Sequence, residues 1–186
     1  MSPARWTPAQ LSVTTLQGAQ AVMRQSIAED FGEAYDPVVH ADIDDPIAHY
    51  APGTGPFLLV ALDDSTGEVI ATAGVRSGRL RPGLTPPAVV DRYESGTYGQ
   101  LVRVYVRKDA RRRGIARGLV RAVLDKIARD GHYSRVALHT YRHSPGAVAF
   151  WEPWGAVEIL DDTDGPSGAV FYELPDDVVR QVRVAS

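Results

Sequence analysis

The chain has 186 residues, a formal net charge of −3, 44% hydrophobic residues and no cysteine. This length suits one domain with a substantial core. The acidic balance argues against a dedicated nucleic-acid binder, and the lack of cysteine excludes a disulfide framework and a thiol nucleophile. No apolar run is long enough to cross a membrane, and the start, Met1-Ser2-Pro3-Ala4-Arg5-Trp6, lacks the apolar core of a signal peptide. A cytoplasmic enzyme or binding protein is expected. Charge is unevenly placed: Arg103–Arg121 is basic, whereas Asp30–Asp45 and Asp161–Asp164 are acidic.

No clear strand is visible over Arg5–Val13. Thr15–Phe31 places Leu16, Ala19, Val22, Met23, Ile27 and Phe31 at helical spacing. Tyr35–Tyr50 is interrupted by Pro37 and Pro46, which predicts short helical pieces and loop. Phe57–Leu62 and Glu68–Val75 read as a hairpin around the turn residues Asp63–Gly67. Arg79–Pro87, with three prolines, reads as a loop. Tyr98–Val106 is a long strand, Gly114–Asp130 a helix, Arg135–Thr140 a strand and Pro145–Trp151 a short helix. Val157–Leu160 and Ala169–Leu174 form a last hairpin around Asp161–Gly168, and Pro175–Val184 ends in a short helix. The order predicts an α+β fold with a single mixed, mostly antiparallel sheet flanked by helices. Neither repeats nor a linker divide the chain, so one domain over 1–186 is expected.

The stretch Val104-Tyr105-Val106-Arg107-Lys108-Asp109-Ala110-Arg111-Arg112-Arg113-Gly114-Ile115-Ala116 is a strand, a basic turn and the start of a helix. That sequence builds a phosphate cradle: backbone N–H groups point out of the turn, and the helix N-terminus adds partial positive charge. Gly114 lets the backbone approach a bulky anion, and Ala116 keeps the next turn small. Further on, the strand Val136–Thr140 is followed by Ser144-Pro145-Gly146-Ala147-Val148-Ala149-Phe150-Trp151-Glu152-Pro153-Trp154-Gly155-Ala156. Ser144 has the chemistry of a helix cap.

These two segments resemble those of the GNAT (N-acetyltransferase) superfamily. Arg111, Gly114 and Ala116 match the family's acyl-CoA-binding pattern Arg/Gln-x-x-Gly-x-Gly/Ala, with Tyr105-Val106 at the expected place upstream. Ala147, Phe150 and Gly155 match the second family segment in register. The resemblance covers the chain from about Thr15. It implies the GNAT fold, with acceptor-side helices over about 15–50 and a CoA-binding core over about 98–156. It also implies direct transfer of an acetyl group from acetyl-CoA, as cosubstrate, to an amine.

On this resemblance the acyl-CoA would be held by Val104, Tyr105 and Val106, whose backbone N–H groups are the expected oxyanion donors, and by Arg111, Arg112, Arg113, Gly114, Ile115, Ala116 and Arg117 around the pyrophosphate. Ser144, Ala147 and Trp151 complete the set. Three positions depart from the family pattern. Ser144 replaces the usual asparagine. Trp151 stands where many members carry the tyrosine that protonates the leaving thiolate, and an indole has no such proton near neutral pH. Gln100 stands where many carry a glutamate base, and can orient a water or acceptor without taking a proton.

The remaining candidates for proton transfer are His139, at the end of its strand, Tyr141 just past it, and Glu94 ahead of the long strand. Histidine is favoured because it titrates near neutral pH. His139 and His143 lack a carboxylate to complete a ligand set, so no metal is expected. On the acceptor side stand Asp30, Glu33, Asp36, His40, Asp42, Asp44 and Asp45 with Tyr35 and Tyr50. Of these Tyr35, His40 and Asp42 are the substrate-binding candidates, on a wall whose negative charge suits a small cationic amine.

Two other readings stand beside this one. The acceptor is a protein amine or the aminoacyl group of charged tRNA, with Arg103–Arg121 extending the basic surface. Alternatively the fold binds acyl-CoA as a sensor without turnover, as the loss of the glutamate and tyrosine would allow. A homodimer is an expectation from the resemblance alone.

Overall fold

The computed structural model describes residues 5–31, 35–51, 53, 55–78, 85–93, 96–144 and 146–180. In chain order these form β1 (Trp6–Gln10), α1 (Leu16–Ser26) with a wider π turn over Ile27–Phe31, α2 (Ala41–Asp44), α3 (Pro46–His49), β2 (Phe57–Asp63), β3 (Val69–Ser77) and α4 (Pro87–Arg92). Then follow β4 (Tyr98–Val106), a 3-10 turn at Lys108–Ala110, α5 (Ile115–Asp130), β5 (Arg135–Thr140), α6 (Ala147–Trp151), a 3-10 turn at Glu152–Trp154, β6 (Val157–Asp161), β7 (Val170–Leu174) and α7 (Asp176–Arg180).

One seven-stranded sheet runs in the order β1-β2-β3-β4-β5-β7-β6. It is mixed: β1–β2, β2–β3, β5–β7 and β6–β7 pair antiparallel, and β4 pairs parallel with β5. A parallel pair needs a long crossover, and α5 supplies it between β4 and β5. The register there is Tyr98↔Arg135, Gly99↔Val136 and Gln100↔Ala137.

β1 is the strand that sequence patterning does not predict. Pro8 interrupts its alternation, and its residues are exposed or half-buried. It lies at the sheet edge, paired with β2 from Trp6↔Asp63 to Gln10↔Leu59, where a proline's missing N–H goes unneeded on the outer side. Patterning does not predict α4 either. Pro87 opens it, pre-set for the first helical position where no donor is required. The central strands follow their composition: β2 and β3 are continuous apolar runs, and both are buried along nearly their whole length. Such runs mark strands covered on both faces.

The chain groups into two compact units, Met1–Val75 with Val102–Val123, and Arg76–Leu101 with Leu124–Ser186. In the first, Ala19, Val22, Met23 and Ile27 of the first helix pack with Ile43, Tyr50, Leu58, Val60, Val69 and Val102. A Cβ built on Gly18 would lie 2.9 Å from both Cβ and Cγ2 of Val69, so the helix backbone comes closer to β3 than any larger residue allows.

In the second unit, Val89, Tyr93, Tyr98, Ala137, Ala169 and Phe171 form a core around one buried carboxylate, Glu173. Its Oε2 accepts from Arg92 Nε (3.2 Å) and Tyr93 Oη (3.1 Å), and its Oε1 from Arg135 Nε (2.6 Å). The rings of Tyr93 and Tyr98 stack at 3.8 Å. Burial, and then the neighbouring Glu173 charge, push the Tyr93 hydroxyl up from 10.0 to about 12.

Two outcomes follow. Gly18→Ala is expected to lower stability by about 1–3 kcal/mol through overpacking, even though alanine is the better helix former; thermal unfolding measures it. For Tyr93, the folded state favours the neutral phenol. Its contribution is complete below pH 10.0 and is lost as pH rises through about 12. Tyr93→Phe should therefore flatten the fall in the denaturant midpoint over that window, while costing about 1 kcal/mol below it for the lost hydrogen bond.

Candidate functional site

The basic turn ahead of α5 belongs to the first unit. β4 ends at Val106, and the N–H of Arg107 returns to the carbonyl of Ile70 at 2.9 Å. Arg112 and Gly114 both have left-handed backbone, with φ of 61° and 75°. Backbone N–H groups brought together by alternating handedness make a concave anion site. The first bond of α5 closes from Gly118 N–H to the Gly114 carbonyl at 3.0 Å. The N–H groups of Ile115 and Ala116 therefore have no partner within the helix. A Cβ placed on Gly114 meets nothing within 4 Å, so the space in front of the turn is open.

The arginines of the turn divide by role. Arg111 donates from Nε to the carbonyl of Val106 (2.9 Å) and pairs with Asp30, so its guanidinium braces the turn. Arg113 reaches Asp63 at 3.5 Å. Arg112 is exposed, and Arg117 is exposed on the first turn of α5. Lys108 pairs with Glu29 at 2.7 Å.

The same unit holds the acceptor-side candidates, and their carboxylates have partners inside the protein. Tyr35 Oη donates to Asp44 Oδ1 (2.6 Å), which also pairs with Arg24 (2.9 Å). Those two hydrogen bonds, Tyr35 first, hold the Asp44 carboxyl below its usual range. Asp45 caps α3 through Ala48 N–H (3.1 Å), and Asp36 accepts from Val38 N–H (2.7 Å). His40 is buried, stacks on Tyr35 at 5.0 Å, and its Nδ1 accepts from Asp36 N–H at 3.0 Å. Asp42 is buried and meets Arg103, at 2.6 Å to Nη2 and 2.9 Å to Nε. Much of the acidic wall is thus internal structure. Glu33 and Glu94 lie outside the described residues.

Arg103 is a functional candidate that the sequence reading did not single out. It lies in β4 with φ 55°, a backbone conformation that costs a residue with a Cβ. Burial of β4 changes at this point, from fully buried over Tyr98–Val102 to half-buried over Arg103–Val106. Val104, Tyr105 and Val106, the expected backbone donors, follow it. The available signal was an arginine set in the apolar run Leu101-Val102-Arg103-Val104-Tyr105-Val106.

In the second unit the structure brings Gln100 and His139 together. Arg76 Nε donates to Gln100 Oε1 (2.9 Å), and Gln100 Nε2 lies 3.0 Å from His139 Nδ1. A guanidinium only donates, so the amide oxygen must face Arg76 and the amide NH2 must face the imidazole. Nδ1 is then the acceptor, and the neutral ring carries its proton on Nε2. Tyr141 meets His139 edge-on at 6.1 Å. Trp151 is buried, edge-on to Phe150 at 4.7 Å. Ser144 does not cap α6 through its side chain: Gly146 is the N-cap, at φ 75°, and Ala147 N–H bonds the Ser144 carbonyl at 3.1 Å. The Ser144 hydroxyl is buried with no hydrogen-bond partner, an unusual state for such a group. Among the described residues no group of three or more His, Cys, Asp or Glu could hold a metal ion, and no helix is long and apolar enough to cross a membrane.

A mixed seven-stranded sheet, with a parallel β4–β5 pair joined by α5 and a left-handed turn opening that helix, is the fold of the acyl-CoA N-acyltransferases. The sequence model of the acetyltransferase (GNAT) family matches residues 22–156, and the chain belongs to that family of acyltransferases. Similar solved structures include an acetyltransferase of the GNAT family from Staphylococcus aureus Mu50, with TM-score 0.70, 15% identity, and 91% of this chain and 98% of that one covered. The ribosomal-protein-S18-alanine N-acetyltransferase of Escherichia coli has TM-score 0.60 and 18% identity over 92% of this chain and 94% of its own. The PaiA N-acetyltransferase of Thermoplasma acidophilum, solved in complex with coenzyme A, has TM-score 0.63 and 17% identity over 91% and 98%. Among curated proteins none matches the sequence significantly.

Proposed function

We propose that the protein transfers an acetyl group from acetyl-CoA to an amine. The observation that carries this reading is the turn Arg111–Ala116, where left-handed backbone at Arg112 and Gly114 and the opening N–H groups of α5 suit a pyrophosphate. The open space before Gly114 fits such a group. The backbone N–H groups of Val104–Val106 are the proposed oxyanion donors. Arg112, Arg113 and Arg117 are proposed for phosphate oxygens; Arg111 braces the turn around them. Trp151 supports the α6 segment by packing.

The chemistry asks little of the side chains. A thioester is already activated, so the site has to align the amine with the carbonyl carbon and steady the oxyanion. The N–C bond forms, the C–S bond breaks, the nitrogen sheds a proton and the thiolate leaves. His139 was the favoured base, but its Nδ1 lone pair accepts from Gln100, whose orientation Arg76 fixes. We therefore read His139 and Gln100 as an aligned pair that orients the acceptor, with the amine arriving already neutral. Tyr141 lines the same segment, and the thiolate leaves to solvent protons. Because Asp42, Asp44 and Asp45 are bonded internally, the support for a specifically cationic small molecule is reduced. The acceptor is taken as an amine, small or macromolecular.

Thiol release from acetyl-CoA against amines, peptides and charged tRNA tests this reading. Acceptor-dependent release is expected, and binding without release for every acceptor would favour a sensor. For two acceptors of different amine pKa, the midpoint of kcat/KM against pH should move with the acceptor. A midpoint fixed by the enzyme would instead make His139 the base. Gly114→Asp sets a strained φ of 75° and a carboxylate before the anion site. Calorimetry should show acetyl-CoA affinity falling at least about tenfold, roughly the loss of one charge-assisted contact.

A further inference from the structure

Arg103 is held from three sides. Its carbonyl accepts from Thr72 Oγ1 at 2.7 Å, a side-chain donor on β3. Its guanidinium meets both oxygens of Asp42 on α2, and Asp42 Oδ2 also accepts from Tyr50 Oη at 2.5 Å. Tyr105 Oη lies 3.4 Å from Arg103 Nη1. The pair is enclosed: 11% of the arginine side chain and 5% of the aspartate side chain are exposed. An arginine does not adopt φ 55° within a strand by preference. Left-handed residues with a Cβ persist where the surroundings over-determine them, and they concentrate at working sites. Here the over-determination comes from Thr72 on the carbonyl and, through the side chain, from Asp42 backed by Tyr50, all far from β4 in sequence. The turn at Arg103 sets the direction of the peptide groups that follow, and those are Val104 and Tyr105.

We propose that Asp42 and Tyr50 are positioning residues for acyl transfer, which hold the left-handed backbone of Arg103 through its side chain and thereby aim the N–H groups of Val104 and Tyr105. The inference rests on the acyl-transfer reading above. It gives Asp42 a part in the reaction without contact to the acceptor.

The test uses the full chain and separates aim from binding. Asp42→Asn should lower kcat at least tenfold while acetyl-CoA affinity by calorimetry stays within twofold, because the phosphate turn is untouched. Adding Arg103→Gly to Asp42→Asn should recover most of that kcat, since glycine takes the left-handed conformation unaided and leaves no guanidinium unpaired. Tyr50→Phe should show a smaller loss of the same kind, and it carries the test if Asp42→Asn does not fold. An unchanged kcat in Asp42→Asn, or a loss that tracks acetyl-CoA affinity and that Arg103→Gly does not rescue, overturns the proposal and leaves the acyl-transfer reading standing. A natural chain that neither binds acetyl-CoA nor releases thiol overturns both.

Discussion

Arg103 carries a guanidinium into the enclosed part of β4, and the carboxylate of Asp42 meets it at 2.6 and 2.9 Å. That meeting joins α2, and through Tyr50 the end of α3, to β4. Burial alone would disfavour the charged guanidinium, but hydrogen bonding to Asp42 and the nearby Tyr105, Asp42 and Tyr50 groups more than reverse this, so its pKa is raised. Removing one partner of such a pair costs about 3–5 kcal/mol, because the other is left buried and uncompensated. The pair is weak evidence of net stability, since apolar residues of equal volume often do as well. On the proposal above, what the pair supplies is conformation: the φ of 55° at Arg103. α2 and α3 are short helices that would not persist alone. Asp42, with Asp44 bonded to Arg24 and Tyr35, fixes them against α1 and β4.

The same rule governs the second unit with different groups. Arg76, Gln100 and His139 form a hydrogen-bonded row from β3 through β4 to β5. Polar side chains buried in a sheet are costly unless bonded to one another, and Gln100 is 3% exposed. The direction of the row is set at its charged end. Arginine has no acceptor, so the donor order runs outward from it and decides the imidazole tautomer. Glu173 shows the contrast. It gathers Arg92, Arg135 and Tyr93 around a single carboxylate, and this arrangement ties α4, β5 and β7 together.

Local signals carried much of the reading. The apolar runs of β2 and β3, the helical spacing of α1 and α5, and the turn Arg111–Ala116 are each decided by residues near one another in sequence, and the structure has them within a residue or two. β1 was not legible because an edge strand needs neither alternation nor a complete set of donors, and Pro8 hides it further. Asp42 was visible as a charge but not as a partner. An acidic run reads as a solvated or ligand-facing wall until the distant arginine that it pairs with is known, and β4 lies some sixty residues away in sequence. The tautomer of His139 was equally out of reach, since it depends on Arg76 acting through Gln100.

Glutamine rather than glutamate at position 100 has a physical consequence for the hydrogen-bonded row of the second unit. A carboxylate at position 100 would accept from Arg76 and from a proton on His139 Nδ1, leaving Nε2 as the ring's lone pair. The glutamine instead donates to Nδ1, so the row runs in one polarity from Arg76 outward. If the protein transfers acyl groups as proposed, alignment carries the reaction, and effective molarities can outweigh proton transfer when the acyl donor is already activated. Alignment in turn depends on rigid backbone. In the first unit that rigidity is concentrated at Arg103, where a conformation foreign to a strand is held by a hydroxyl on β3 and a carboxylate on α2. On the acyl-transfer reading proposed above, a site with glutamine at position 100 and tryptophan at position 151 depends the more on a correctly directed peptide N–H.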